Sequence, residues 1–161
     1  MKSTLYVMIG VPGAGKSTFA RNVLKNINNA MYVSRDSIRY SLDDKYAEKS
    51  FKERECVAYK EYIDQINVGL LVGDVIADAT HYSLKSRKNL IKNLSLDNVD
   101  VVYVVINTPL DLCKERNALR SGNAFVSEDK IDFFHKNLEL PYQLADFEKD
   151  HVKQIWWIEY K

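Results

Sequence analysis

Little in this sequence identifies a partner by bulk charge. Its 23 basic and 22 acidic residues nearly cancel, leaving a formal net charge of +1. No whole-chain field therefore announces a nucleic-acid binder, and clustering has to be read locally. Cysteine is scarce: Cys56 and Cys113 stand alone, in neither a CxxC nor a Cys/His spacing, which excludes a zinc or dithiol redox motif. Both fall in helical-looking stretches and are expected to be buried free thiols. No apolar run approaches the length of a membrane span. The N-terminus enters an apolar run at once, without the basic and long apolar regions of a secretory leader, so a cytoplasmic location away from membranes is expected. Internal repeats, low-complexity tracts and Pro/Gly/Ser linkers are also missing. At 161 residues and 46% hydrophobic content, one domain over residues 1–161 with its own core is the simplest account. Glycine is sparse too, yet three of the six fall at Gly10, Gly13 and Gly15.

What is present alternates. Short β-branched runs at 5–9, 30–34, 74–77, 99–106 and 154–160 read as strands. Helices are expected at 16–24, 50–71 and 83–94, then from Thr108, with Thr as N-cap and Pro in the first turn, and again from Ser127. In the longest helix Ala58, Tyr62, Ile66 and Leu70 recur at i+4 steps and should form its buried stripe. Ile131, Phe134 and Leu138 should do the same near the end of the chain. Alternating strands and helices argue for an α/β fold around a mostly parallel sheet.

The crowded glycines sit between the first strand and the first helix. Gly10 to Ser17 fits G-x-x-x-x-G-K-[ST] without mismatch. A polyphosphate needs several backbone N–H groups aimed into one concavity, which side chains would obstruct. The following helix N-terminus adds partial positive charge. Gly10, Gly13, Ala14, Gly15, Lys16, Ser17 and Thr18 are thus the expected ATP-binding loop. Lys16 reaches the β- and γ-phosphates, and Ser17 is a ligand for Mg²⁺.

After the second strand comes Ser34-Arg35-Asp36-Ser37-Ile38-Arg39. A carboxylate at a strand's carboxyl end is well placed to accept a proton from an attacking hydroxyl. If Asp36 opens a helix, Arg39 lies on its face one turn later. That pair suits an acceptor carrying both a hydroxyl and an anionic group. The third strand delivers Asp78 to the position where a carboxylate holds Mg²⁺, followed by Ala79-Thr80-His81. From Tyr82 to Leu96 no acid occurs, while Lys85, Arg87, Lys88 and Lys92 are basic, an expected positive ridge. Arg116 and Arg120, at i, i+4 spacing before Gly122, are expected on one helix face at the start of a lid, about 116–127.

The phosphate loop followed by "SRDSIR" resembles the 5′-polynucleotide kinase family and its P-loop kinase relatives, as does R-x-x-x-R-x-G at 116–122. The resemblance runs to about Leu138. It implies a three-layer P-loop kinase fold with a helical lid, ATP with Mg²⁺, and transfer of the γ-phosphate to the 5′-hydroxyl of DNA or RNA. In those terms Asp36 is the general base, Arg39 an acceptor-phosphate contact and Arg120 a phosphate contact in the lid, with Arg116 beside it. Thr80 and Arg87 are expected acceptor contacts, and Ser17 and Asp78 the metal side. Such kinases often carry D-x-T-N where this chain ends in His81. A D-x-D-x-T phosphatase signature does not occur, so no 3′-phosphatase activity is expected of this chain. Two other readings stand beside this one. A small-molecule kinase for a nucleoside, sugar or antibiotic would use the same groups. A nucleotide-binding ATPase or switch would need neither the Asp36/Arg39 pair nor the arginine lid. A guanine-reading N-K-x-D motif is missing.

Overall fold

The computed structural model describes residues 1–161, the side chain of Asn28 excepted. Five strands form the sheet: β1 (Ser3–Ile9), β2 (Met31–Ser34), β3 (Val75–Asp78), β4 (Val99–Asn107) and β5 (Val152–Glu159). Their spatial order is β2-β3-β1-β4-β5, and every pairing is parallel. β1 is central, with Leu5 beside Val75 on one flank and Val101 on the other. Strands covered on both faces have little use for polar residues, which is why β1, β3 and β4 read as nearly continuous apolar runs.

Alternation along β1 divides the core in two. Leu5, Val7 and Ile9 face one layer. There they meet α3 (Arg35–Lys45), α4 (Phe51–Leu70) and α5 (Leu84–Lys92) through Ile38, Tyr62, Ile66 and Leu90. Tyr6 and Met8 face the other layer. That layer holds α1 (Lys16–Phe19) with its π-helical continuation (Ala20–Leu24) and α2 (Lys25–Asn28), plus α6 (Leu110–Ala118) and α7 (Glu128–Lys136). The expected α4 stripe, Ala58, Tyr62, Ile66 and Leu70, is buried. Ser50 caps that helix, with Glu53 answering back to the Ser50 N–H. A short α8 (Asp146–Lys149) precedes β5. Among the described residues no helix is long and apolar enough to cross a membrane.

Three local expectations change. The first helical run continues to Asn28 rather than stopping at Leu24. Thr108 does not cap α6, whose N-cap is Pro109; Thr108 is instead buried, its hydroxyl donating to the Ala14 carbonyl at 2.7 Å. Cys113 is buried as expected, but Cys56 is exposed, because it sits on the outer face of α4.

Candidate active site

The glycine loop joins the end of β1 to α1 at the carboxyl edge of the sheet. Two glycines are required by contact. A Cβ on Gly10 would stand 2.8 Å from the Ile106 carbonyl oxygen, and one on Gly13 2.5 Å from that of Cys113. Gly13 also has φ +82, in the left-handed region. The loop is pinned from outside. The Ala14 carbonyl accepts from Thr108 Oγ1 and, at 3.0 Å, from Arg116 Nη1. Arg116 lies over the Tyr160 ring at 4.8 Å, so residues after β5 help hold the phosphate loop.

Lys16 is buried, with Nζ donating to the Val11 carbonyl at 3.0 Å. Burial lowers its pKa, while the charges of Asp78 and Asp36 oppose that shift and Arg120 adds to it. Residues from four separated segments therefore act on one ammonium.

Asp78 ends β3 in a buried position. Its Oδ2 accepts from Ser17 Oγ at 2.6 Å and also from Tyr32 OH. Burial, then the Asp78 carboxylate, push the Tyr32 phenol up to about 12, so it stays a donor. A hydroxyl and a carboxylate in contact at the foot of the loop are hard oxygen donors of the type Mg²⁺ takes. Among the described residues no group of three or more His, Cys, Asp or Glu could form a metal cage.

Asp36 opens α3, as the sequence allows, one residue after Arg35 and two after the N-cap Ser34. Arg39 bridges two acids. Its Nη1 donates to Asp36 Oδ1, and its Nε and Nη2 form a fork on Glu55 of α4, with Nη2–Oε2 at 3.0 Å. Arg35 Nη2 reaches the same Glu55 oxygen at 3.4 Å. Burial opposes the charge on Glu55, but the bond and charge of Arg39, then Arg35, hold its pKa below the usual carboxylate range. Tyr40, on the next position of α3, donates to the Asn123 carbonyl at 2.7 Å, tying this helix to the segment expected as a lid.

Arg116 and Arg120 do not share a helix face. α6 ends at Ala118, and Arg120 is an exposed residue beyond it, its N–H donating to the Asn117 carbonyl. Thr80 stands beside the loop, its carbonyl accepting from Gly10 N–H at 3.0 Å. Thr18 is exposed on α1.

Arg87 departs from expectation. It is 2% exposed, and its Nε is paired with Glu148 Oε1 at 2.8 Å. Its Nη1 donates to the His81 and Glu139 carbonyls. Tyr103 OH donates to the same Glu148 oxygen. Arg87 is thus turned into the core and is neither an acceptor contact nor part of a surface ridge, which reduces to Lys85, Lys88 and Lys92. Helical phase explains it: Arg87 shares a face with Leu90 and Ile91, both buried.

His81 is buried rather than a polar loop side chain. Its Nδ1–H donates to the Met8 carbonyl at 2.6 Å, leaving Nε2 to accept from Tyr62 OH at 3.2 Å. Burial drives its pKa down to about 4. Its φ is +43. Asn and His are both enriched in that conformation, which gives a physical reason for one to stand where the other is usual. Sequence reasoning passed over Tyr32, Glu55 and Tyr160, and read Thr108 as a cap rather than a support of the loop. None lies in a spaced motif, and each reaches the site only through a contact across the fold.

A family model described as "AAA domain" matches residues 5–141. A protein of Acanthamoeba polyphaga mimivirus named as a bifunctional polynucleotide phosphatase/kinase is 30% identical over 156 residues, covering 92% of this chain. The chain spans about a third, 32%, of that relative's length. Among solved structures, a chain of the Pnkp1/Rnl/Hen1 RNA repair complex superposes with a TM-score of 0.69 at 22% identity, over 90% of this chain and 50% of that one. A sugar kinase from Janibacter sp. HTCC2649 superposes with a TM-score of 0.63 at 14% identity, over 99% of this chain and 86% of that one. With its glycine loop, its parallel sheet and residues 5–141 all accounted for in this way, the chain belongs to the AAA-domain family and has the P-loop kinase fold.

Proposed function

We propose that this protein is an ATP-dependent kinase that transfers the γ-phosphate to the 5′-hydroxyl end of a DNA or RNA strand. One observation carries the reading: Arg39 links Asp36 to Glu55, with Asp36 close enough to act on the Lys16 ammonium. An acid and an arginine paired outside the phosphate cradle suit an acceptor that carries both a hydroxyl and an anionic group. The mimivirus relative's name supports a polynucleotide as acceptor.

The chemistry follows from these residues. Backbone N–H groups of Gly13, Gly15 and Lys16, with the Lys16 ammonium, bind the triphosphate and neutralise its β- and γ-oxygens. Ser17 and Asp78 would hold Mg²⁺, which supplies further charge neutralisation when bound. The Asp36 carboxylate accepts the proton of the 5′-hydroxyl as that oxygen bonds to the γ-phosphorus. The bond from the γ-phosphorus to the β–γ bridging oxygen breaks, and ADP leaves. Arg39 orients the acceptor through its 3′-side phosphate, and Glu55 presents Arg39 in that pose. Arg120 donates to the transferring phosphoryl oxygens, while Arg116 holds the loop at Ala14.

Asp36→Asn should bind ATP normally and lower kcat by about 10²- to 10⁴-fold, the usual worth of a general base. Single-turnover transfer from labelled ATP to a 5′-hydroxyl oligonucleotide measures it. Transfer at the normal rate would remove Asp36 from the role. Transfer to small alcohols but to no oligonucleotide would replace the polynucleotide acceptor with a small molecule.

A further inference from the structure

One face of α7 is unused by this chemistry. Lys130, Phe133 and Asn137, at i, i+3 and i+7, are exposed along it, while Phe134 packs with Ile131 and Leu138 against the core as expected. At its start, Lys130 is near enough to Glu55 for its charge to help hold that carboxyl ionised, and Glu55 is the partner of Arg39. At its far end, Phe133 and Phe134 meet edge to face at 5.6 Å. Tyr82 closes on them at 6.2 and 4.9 Å. Tyr82 and Phe133 join Lys85, Lys136 and Glu139 around an open pocket of about 450 Å³. Tyr82 follows Thr80 by two residues, and the Thr80 carbonyl accepts from Gly10, so the pocket opens along the edge of the sheet that carries the phosphate loop.

Lys85, Lys130 and Lys136 are exposed and offer cationic partners to a polyanion. Of the nearby acids, Asp132 and Glu128 face Lys114 at 2.8 and 3.9 Å, the Glu139 carboxylate at the pocket wall accepts from the Leu84 N–H, and Asp129 is exposed on α7. Phe133 nevertheless leaves 52% of its surface in water, braced by two rings, in a position where burial would favour it. An exposed aromatic face between cations is what single-stranded nucleic acid recognises, bases on rings and phosphates on lysines.

We propose that the acceptor strand runs from Arg39 along this face of α7 and stacks a base on Phe133, with Lys130, Lys85 and Lys136 meeting its phosphates. The proposal rests on the polynucleotide reading and adds a second contact region to it. A strand several nucleotides long and unpaired is then the preferred acceptor, because a duplex hides its base faces.

The experiment compares a single-stranded oligonucleotide of about twelve residues, inside the usual range of such sites, with a nucleoside 3′-monophosphate as acceptors. Phe133→Ala should raise KM for the oligonucleotide about tenfold, the usual loss of one stacked base, and leave the mononucleotide kinetics unchanged. Phe133→Trp, which keeps a stacking face, should match the parent protein. Lys85→Glu with Lys136→Glu should weaken the oligonucleotide alone and flatten its salt dependence. Equal effects on both acceptors, or none on the oligonucleotide, would overturn the stacking site. Oligonucleotide affinity by fluorescence anisotropy separates this from the activity. A parent protein that phosphorylates neither acceptor, yet binds the oligonucleotide about tenfold more tightly than Phe133→Ala, would sink the kinase reading and keep the surface.

Discussion

At the scale of single residues, burial gives several groups properties that their type alone does not have. His81 is the clearest. In the folded chain its pKa is about 4, against about 6.5 when unfolded. Between those values the unfolded chain binds a proton that the native one refuses, so stability falls as pH drops through this window. Lowering the pH from about 7 to about 5 should cost about 2 kcal/mol through this ring. His81→Asn, which tolerates the left-handed backbone, should flatten that part of the slope in urea titrations. An unchanged slope would show that the ring does not carry it. Lys16 has its pKa lowered by burial, with the charges of Asp78 and Asp36 opposing that shift. These states could not be read from residue type, because desolvation depends on what the fold lays over each group.

At the scale of elements, α5 illustrates how a helix's phase decides a residue's use. Four basic residues in a stretch without acids read as a ridge, yet Arg87 points inward to Glu148 of α8, 61 positions away. Arg87→Met should strand the buried Glu148 carboxylate and cost about 3–5 kcal/mol in chemical denaturation. Adding Glu148→Leu should recover most of that loss, since an apolar pair needs no compensation. A single substitution that left stability intact but raised acceptor KM would return Arg87 to the surface role. Strands and long helices were legible because their period was strong. Strand ends missed by only a residue or two, and the α4 stripe is the one expected. The Arg116/Arg120 face was not legible, because a helix stop at Ala118 carries no proline or glycine of its own.

At the scale of the whole molecule, the site is an edge property. The loop, Asp36, Asp78 and Arg120 come together because parallel strands end on one side, and β1 at the centre sets the loop between its neighbours. The native loop should therefore report nucleotide on global stability. At a hundredfold excess over Kd, ATP with Mg²⁺ should add about 2.7 kcal/mol, raising Tm by about 5–10 °C for a chain of this size. Lys16→Ala should remove most of that shift in differential scanning fluorimetry, and a full shift in the variant would show that the ammonium is not a phosphate contact. The sequence by itself determined the phosphate loop, the α/β alternation and the Asp36–Arg39 step, since each depends on local spacing and backbone geometry. Only the tertiary structure decided that Glu55 holds Arg39, that Tyr32 joins Ser17 at Asp78, that Tyr160 backs the loop through Arg116, and that Arg87 belongs to the core. Those pairings join residues far apart in the chain, and nothing local in either partner specifies the other: packing of the helices against the sheet brings them together.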